Sequence, residues 1–318
     1  MRTALSALAL GVSLACACQL ASGQTVTVTQ QGYGNTSSAE QVGATPPADV
    51  LVGVSATITQ VGDNNHVGGP GASSSGIFQR DNRAGGALAV AEQYGYGNNA
   101  SITQDLTYGD RGDFTARITQ RGALNDATIT QNMAQMTPAT VEQNGIANLA
   151  TVEQIRSSDT RVQATQNGNH NELMIRQMEA AYYGPEVTQN GDGNSAWVVS
   201  ESAPGARQAI LQTGTANSVL TVQIGGWDNN IAVGQLGSGN YAEVGQFGDG
   251  HAANIDQNGS NNFTSVIQSG PTGLLVSNNA LVAQVGSNNG AIVRQYGQGY
   301  MANVNQTGTG NWTSIYQH

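Results

Sequence analysis

Side-chain carboxamides recur along this sequence at a fixed spacing. One copy begins at Gln93, continues through Gly95 and Asn98, and closes at Gln104. A carboxamide does not ionise and is not a nucleophile, but it donates and accepts hydrogen bonds at the same time. The chemistry that this spacing predicts is therefore a hydrogen-bonded array rather than catalysis.

The repeating unit reads Gln-x-Gly-x-x-Asn-x-Ala-x-(Ile/Val)-x-Gln, and most copies are joined by a connection of the same length, as from Gln131 to Gln143 and from Gln154 to Gln166. About twelve copies fill residues 24–318, and such self-similarity is typical of solenoids. The carboxamides that we predict to form internal ladders are Gln93, Asn98, Gln104, Gln120, Asn125, Gln131, Gln143, Asn148, Gln154, Gln166, Asn171, Gln177, Gln212, Asn217, Gln223, Gln235, Asn240, Gln246, Gln257, Asn262, Gln268, Gln284, Asn289 and Gln295.

Each copy contains two short segments in which apolar and polar residues alternate. Ala127, Ile129 and Gln131 fall on one face of such a segment, with Thr128 and Thr130 on the other. Alternation with period two predicts a β-strand, and the Gly and Asn between two segments predict a tight turn. One strand–turn–strand unit cannot bury its inner face alone, so the copies must stack. We therefore predict an all-β fold, a two-sheet cross-β solenoid in which equivalent Gln and Asn side chains form ladders.

The terminal copies keep the Gln, Gly, Asn and closing Gln of the pattern, and no capping helix is predicted beyond Gln317. Unpaired strand edges at both ends predict head-to-tail addition of further copies of the chain, a contact that need not close. The residues that we expect to carry this self-assembly are Gln30, Gly32, Asn35 and Gln41 at one end, and Gln306, Gly308, Asn311 and Gln317 at the other.

Some positions depart from the pattern. Ser200 stands where Gln is expected, and His251 and Tyr300 stand where Asn is expected. Longer connections at 42–54, 63–76, 105–113 and 269–278 are predicted to be loops on one edge of the solenoid.

Composition argues against an enzyme, a metal site and a nucleic-acid partner. Only 10% of residues are charged, all 11 basic residues are Arg, and the net charge is −10, so no basic surface for phosphates is expected. The acidic residues share no repeat position that would cluster them, and the four histidines lack metal-ligand spacing. We therefore predict no catalytic residues, no metal and no cofactor.

The segment 1–23 has the layout of an export signal. Arg2 precedes an apolar run from Ala4 to Ala17, and small residues follow, so we predict cleavage before Gln24, with cleavage after Ala17 as the alternative. Both cysteines lie inside this segment, which leaves residues 24–318 without a disulfide. No other stretch is long and apolar enough to suggest a transmembrane segment.

The repeat resembles that of the curlin subunits of curli, in which Ser-x5-Gln-x-Gly-x-x-Asn-x-Ala-x3-Gln recurs at about the same spacing as the repeat of this chain. The resemblance covers nearly all of residues 24–318. The resemblance implies a secreted subunit of extracellular, fimbrium-like functional amyloid fibres on the cell surface, with roles in biofilm matrix and adhesion. It also implies docking through the terminal repeats, and as partners a nucleator subunit and a curli-type outer-membrane secretion pore. Unlike the best-known curlins, the sequence has no Gly-rich leader after the signal.

Two alternatives remain at this stage. The chain is either the main fibre subunit or the minor nucleator, and the uncharged last repeat favours the former, because nucleators of the family tend to end in a basic, irregular repeat. The other alternative is a soluble or surface-anchored β-solenoid adhesin or binding module, such as an ice-binding protein. Ice binding requires a regular outward Thr array, whereas Glu142 and Glu153 interrupt the series that Thr103 and Thr130 begin.

Overall fold

The strands account for all of the regular structure in the described part of the chain. The computed structural model describes residues 3–8, 18–20, 24–42, 54–68, 76–80, 87–107, 114–271 and 277–318, the first two ranges by their backbone alone, and none of these ranges contains a helix. The strands are β1 (Thr3–Leu8), β2 (Cys18–Leu20), β3 (Gln24–Gln31), β4 (Thr36–Val42), β5 (Ser55–Asp63), β6 (His66–Val67), β7 (Ile77–Arg80), β8 (Ala87–Tyr96), β9 (Asn99–Asp105), β10 (Phe114–Ala123), β11 (Asp126–Asn132), β12 (Ala139–Ile146), β13 (Leu149–Ile155), β14 (Val162–Asn169), β15 (Glu172–Met178), β16 (Glu186–Asp192), β17 (Ser195–Glu201), β18 (Arg207–Thr215), β19 (Ser218–Ile224), β20 (Asn230–Ser238), β21 (Tyr241–Phe247), β22 (Ala252–Ser260), β23 (Phe263–Ser269), β24 (Asn279–Ser287), β25 (Gly290–Tyr296), β26 (Met301–Thr309) and β27 (Trp312–Gln317).

The strands form where apolar and polar residues alternate. In β11, Ala127, Ile129 and Gln131 are buried, while Asp126 and Thr128 are partly exposed. Successive side chains of a strand point to opposite faces, so this alternation places one set inside the solenoid and the other on its surface. The predicted strand and its inward set are thus confirmed.

The chain divides into two compact units, Met1–Val162 and Gln163–His318. Each unit contains strands of two sheets, called the first and the second sheet below. One coil is a strand of the second sheet followed by a strand of the first. In the Met1–Val162 unit the first sheet has the order β1-β4-β6-β9-β11-β13, with β7 pairing with β4 and β9, and the second has the order β2-β3-β5-β8-β10-β12. In the Gln163–His318 unit the orders are β15-β17-β19-β21-β23-β25-β27 and β14-β16-β18-β20-β22-β24-β26.

Neighbouring repeats pair in parallel with their equivalent residues opposite each other. Between β18 and β20, for example, Gln212 lies opposite Gln235 and Gly214 opposite Gly237. A strand that slipped by one residue would turn every inward side chain outward, so this register is strongly specified. The predicted all-β, two-sheet β-solenoid is therefore confirmed.

The core is thin and is filled by small or branched aliphatic side chains. Among the described residues, the buried apolar side chains are Ala, Val and Ile, together with Leu173. They form columns, as Ile102, Ile129 and Val152 do along one sheet. Small and β-branched side chains fit between two closely spaced sheets, which explains why the inward positions of the repeat carry these residue types.

One insertion divides a strand without breaking the sheet. The connection predicted at 63–76 separates β6 from β7, and both still pair with β9, His66 opposite Asn99 and Ile77 opposite Ile102. Residues 69–75 of this connection, and parts of the other three predicted loops, lie outside the described residues.

The segment predicted to be an export signal contains β1 and β2. They pair antiparallel with β4 and β3, the strands of the first coil, whereas the repeat strands pair in parallel. Cleavage before Gln24 stays a prediction. In the ranges that the structure describes, none of the regular structure is a helix of the length and hydropathy that a membrane crossing requires.

Candidate assembly site

The glutamines of the second sheet form a column inside the solenoid. Each Nε2 donates to the Oε1 of the glutamine one coil further along the chain. In the Met1–Val162 unit the column runs through Gln30, Gln60, Gln93, Gln120 and Gln143 with donor–acceptor distances of 2.6 to 2.9 Å. In the Gln163–His318 unit it runs through Gln166, Gln189, Gln212, Gln235, Gln257, Gln284 and Gln306 at 2.8 to 3.0 Å.

A second glutamine column follows the first sheet. It joins Gln41, Gln79, Gln104, Gln131 and Gln154 at 2.7 to 3.0 Å. In the other unit it joins Gln223, Gln246, Gln268, Gln295 and Gln317 at 2.8 to 2.9 Å. Gln177 lies in the same register, opposite Ser200, which lies opposite Gln223.

The asparagines form a third column at the turn between the two strands of a coil. Here Nδ2 donates to the Oδ1 of the asparagine one coil earlier. The pairs join Asn35, Asn65, Asn98, Asn125 and Asn148 at 3.0 to 3.3 Å. In the other unit they join Asn171, Asn194, Asn217, Asn240, Asn262, Asn289 and Asn311 at 2.8 to 3.1 Å.

The two kinds of ladder run in opposite directions. Glutamine donors point toward the C-terminal neighbour, whereas asparagine donors point toward the N-terminal one. Each asparagine also uses its backbone N–H for the preceding Oδ1, as Asn217 does to Asn194 at 3.1 Å. Buried amides normally cost free energy, but in these columns almost every donor and acceptor is satisfied. The ladders therefore fix both the register and the polarity of the stack.

Each glutamine also joins the two sheets. The Nε2 of Gln212 in the second sheet donates to the carbonyl oxygen of Ser195 in the first sheet at 2.9 Å. The Nε2 of Gln246 in the first sheet donates to the carbonyl oxygen of Asn230 in the second at 3.0 Å. The ladders thus hold the coil closed across its thin core as well as holding the coils together.

The turn from the first Gln of a repeat to its Asn, as in residues 212–217, is called the asparagine arc below. Gly214 has a φ of 121°, and a Cβ at this position would lie 2.0 Å from the carbonyl oxygen of Gly237 in the next coil. Glycine is therefore required by both conformation and space. The residue before each Asn is left-handed, at φ 53° for Ala216 and 58° for Leu124.

The opposite connection, from the closing Gln of one repeat to the second-sheet strand of the next, is called the variable arc. Four of these arcs in the Gln163–His318 unit carry a further column, Asn229, His251, Asn278 and Tyr300. Asn229 Oδ1 accepts from the backbone N–H of His251 at 2.8 Å, and Asn278 Oδ1 accepts from that of Tyr300 at 3.1 Å. His251 and Tyr300 therefore occupy asparagine-like positions.

His251 is buried. One ring nitrogen, Nε2, lies 3.0 Å from the carbonyl oxygen of Phe247, and the other, Nδ1, has no partner among the described residues. Burial lowers the pKa of His251 below its ordinary value, against smaller opposing effects of the Phe247 carbonyl and the Asp249 carboxylate. Burial therefore favours the neutral form of this histidine.

Ser200 interrupts the first-sheet glutamine column, and a glutamine from the other sheet fills the space. Gln208 occupies an inward position opposite Ile231, and its Nε2 donates to Ser200 Oγ at 2.8 Å and to the carbonyl oxygen of Val199 at 3.0 Å. The replacement is incomplete, because the Oε1 atoms of Gln208 and Gln223 are buried without a hydrogen-bond partner among the described residues.

The terminal coil of the Gln163–His318 unit differs from the inner coils in exposure. Ile315 is partly exposed, whereas Val293 in the same column is fully buried. Asn311 and Gly308 are exposed, Gln317 is partly exposed, and Gln306 is buried. The edges of β26 and β27 beyond this coil pair with no other strand among the described residues.

The first coil of the Met1–Val162 unit contains the other terminal set. Gln30, Asn35 and Gln41 are buried and head their columns, and Gly32 has a φ of 114°. The Oε1 of Gln30 is buried and has no hydrogen-bond partner in the part of the chain that the structure describes. This end of the glutamine column therefore offers an acceptor, which matches the direction of the ladder.

The list of predicted ladder residues leaves out several members of these arrays, among them Gln60, Asn65, Gln79 and Gln189, whose positions follow the spacing of the repeat. Asn194 belongs to the asparagine column and could have been found from the spacing after Gln189. Asn229 was hidden because its arc is one residue longer than that of His251. Gln208 gave no sequence signal, because its role depends on the small side chain of Ser200 in the facing strand.

The comparison with known families bears on this arrangement. Residues 226–259 match the family model of the curlin associated repeat. The match covers a variable arc, the strands β20 and β21 and most of β22, with Gln235, Asn240 and Gln246 in their ladder positions. It confirms the resemblance to the curlin family, while the count of about twelve curlin repeats stays a prediction. No curated protein matches the chain.

Proposed function

We propose that this curlin-repeat chain is the main structural subunit of extracellular, curli-like amyloid fibres and that it polymerises head to tail. The observation that carries the proposal is the polarity of the ladders: each kind of ladder keeps one direction of donation in both units. An added copy would bring Gln30 Oε1 within reach of the Nε2 of Gln306, and its Asn35 amide toward Asn311 Oδ1. These donors and acceptors have opposite roles at the two ends, so one orientation satisfies both and the reverse orientation satisfies neither.

Apolar complementarity supports the same contact. When the last coil of one copy meets the first coil of another, Ile315 falls in register with Ala39 and Val304 with Val28, so both inward apolar columns continue. Such a junction repeats the contacts that exist between coils inside each unit. Because β1 and β2 pair with the first coil, elongation at that end requires their release. Cleavage before Gln24 would achieve this.

The experiment compares residues 24–318 with two variants of neighbouring residues in β27. Ile315→Asp places a carboxylate on the inward face, where an added copy would bury it. Tyr316→Asp is the matched control, because Tyr316 is exposed and faces outward. Assembly is followed by light scattering, electron microscopy and fibre diffraction.

We expect the parent chain and Tyr316→Asp to form fibres with a reflection at roughly 4.8 Å, while Ile315→Asp stays unassembled with unchanged strand content. A parent chain that remains unassembled for days, or fibres from Ile315→Asp at the parent rate, contradicts the proposal. Full-length chain is the second control, and we expect it to elongate more slowly.

Location, secretion pore and nucleator belong to the proposal as well. The curlin repeat and the solenoid are typical of structural proteins rather than enzymes. Secretion to the cell surface, biofilm matrix formation and adhesion follow from the proposed fibre. Deletion of the gene in its host is expected to remove the fibres, and added purified chain is expected to restore them.

A further inference from the structure

An aromatic cluster lies on three consecutive variable arcs of the Gln163–His318 unit. Tyr182 comes from the arc before β16, and Trp227 from the arc before β20. Their ring centroids are 6.2 Å apart with an interplanar angle of 32°, and the two residues are 57% and 55% exposed. Aromatic residues are exposed elsewhere on the solenoid as well, but a contiguous pair of exposed rings beside a cleft is an arrangement at which ligands bind.

A cleft lies beside these residues along the chain, since Tyr183 and Asp228 of its lining directly follow Tyr182 and Trp227. It has a volume of about 290 Å³ and is lined by Tyr183, Gly205, Arg207, Asp228, Asn229 and Asn230. The Arg207 guanidinium lies 3.7 Å from the centroid of the Tyr183 ring. Small-ligand sites combine aromatic surface with a few polar groups in this way, and the volume fits one sugar ring.

The backbone under Tyr182 is held in an unfavourable conformation. Tyr182 has a φ of 75°, and the equivalent residue one coil later, Gly205, has the same φ. The N–H of Tyr183 donates to the carbonyl oxygen of Ala181 at 3.1 Å, which closes a tight turn. A tyrosine thus stands where the next coil has glycine. Asp228, the equivalent residue two coils later, also has a positive φ of 56°, so the arc imposes this conformation, and in this coil the residue that it presents is a tyrosine.

Two further features shape the cleft. A Cβ on Gly205 would lie 2.3 Å from Asp228 Oδ1, so the missing side chain makes room for this carboxylate. The backbone N–H of Trp227 donates to Asp249 Oδ1 at 2.7 Å, and the Trp227 carbonyl oxygen accepts from Gly250 N–H at 2.8 Å. The neighbouring coil therefore fixes the position of the tryptophan.

The charges select among ligand classes. Arg207 and Asp228 form no salt bridge among the described residues. One cation and one anion in the same cleft cancel, so neither an anionic nor a cationic ligand is favoured. Both groups, and the amide of Asn230, can hydrogen-bond hydroxyl groups. A flat ring with an apolar C–H face and hydroxyls at its edge meets all of these requirements.

We propose that this cleft, with Tyr182 and Trp227 as its stacking platform, binds a pyranose unit of a neutral polysaccharide. The site lies on variable arcs, away from the terminal coils, so binding does not depend on polymerisation. A fibre would then present one such site for each copy of the chain.

The test titrates the purified chain with cellohexaose, chitohexaose and maltohexaose, using tryptophan fluorescence and calorimetry. We expect at least one hexaose to bind at millimolar concentration or below. Trp227→Ala and Tyr182→Ala should each weaken binding about tenfold, and Trp227→Phe should weaken it less. Trp197→Ala is the matched control, because Trp197 is 52% exposed and lies on the outer face of β17.

Binding is measured on the unassembled chain and, after assembly, by co-sedimentation. The first measurement tests the proposal even if the chain forms no fibres. Absence of binding to all three hexaoses overturns the proposal. So does an equal loss in Trp197→Ala, or tighter binding of choline or inorganic phosphate than of any hexaose. Thermal unfolding of each variant checks that the exposed substitutions leave the fold intact.

Discussion

The two connections of each coil differ in how strictly they repeat. The asparagine arc has the same length in the first described coil, Gln30 to Asn35, and in the last, Gln306 to Asn311. The variable arc changes in length from coil to coil, since its flanking ladder glutamines are 223 and 235 in one coil, 246 and 257 in the next, and 268 and 284 in the one after. In the asparagine arc, backbone and side chain of one coil contact those of the next at every step. Register is therefore determined at the asparagine arc, and the variable arc is left able to differ in length and residue type.

The largest effect is expected inside the asparagine arc, from Gly214→Ala. The new Cβ would lie 2.0 Å from a backbone oxygen of the next coil, so the stack must open locally. We expect a loss of more than about 4 kcal/mol in the free energy of unfolding, measured by denaturant titration. Gly193→Ala is the comparator, because its φ is 65° but no atom lies within 4 Å of the added Cβ. That variant should lose only about 1–2 kcal/mol, and equal losses would show that conformation, not close stacking, requires the glycine.

Removal of one asparagine from its column should have the next largest effect. Asn217→Ala deletes the hydrogen bonds to Asn194 and to the carbonyl oxygen of Gly237, and leaves the backbone N–H of Asn240 without its acceptor. We expect a loss of about 3 kcal/mol. Asn254→Ala, on the exposed face of β22, should cost less than about 0.5 kcal/mol. Similar losses in the two variants would mean that the column does not stabilise the stack.

A smaller and coupled effect is expected where the first-sheet glutamine column is interrupted. Ser200→Gln together with Gln208→Ala should restore the column, give Gln223 Oε1 a donor and remove the unpartnered Oε1 of Gln208. We expect a gain of about 1–2 kcal/mol for the double variant. Each single change should destabilise, because Ser200→Gln alone competes with Gln208 for space and Gln208→Ala alone leaves a cavity. Additive single effects in the double-mutant cycle would contradict this account.

The smallest effect concerns pH and the variable arc. Burial lowers the pKa of His251 in the folded chain, so the unfolded chain takes up the proton first as pH falls below about 6.5. The contribution of His251 to the free energy of unfolding is therefore complete above that pH and decreases below it. His251→Asn should lose this dependence. The check is unfolding at several pH values between about 7.5 and about 5.5, and parallel curves for parent and variant would contradict the prediction.

Much of the fold could be predicted because its rules are local. Alternation of Ala127, Ile129 and Gln131 with polar residues predicts a strand and its inner face, and the recurrence of Gln, Gly and Asn at fixed offsets predicts which residues meet. Within the described residues, every strand of the repeat falls where this spacing predicts one. The connection at 63–76 is predicted as a loop on one edge of the solenoid, whereas it divides one strand into β6 and β7, which pair within the same sheet.

The columns of equivalent Gln and Asn side chains follow from the amino-acid sequence alone, because the fixed offsets within each repeat place these side chains above one another whatever the details of the turns. The direction in which each ladder donates is visible only in the folded structure, since both directions satisfy the same spacing. The folded structure also places Gln208 in the space beside Ser200 and brings Tyr183, Arg207 and Asp228 together at one cleft. These contacts join residues on different coils or opposite sheets, and their distances depend on how the sheets pack rather than on the order of residues along the chain.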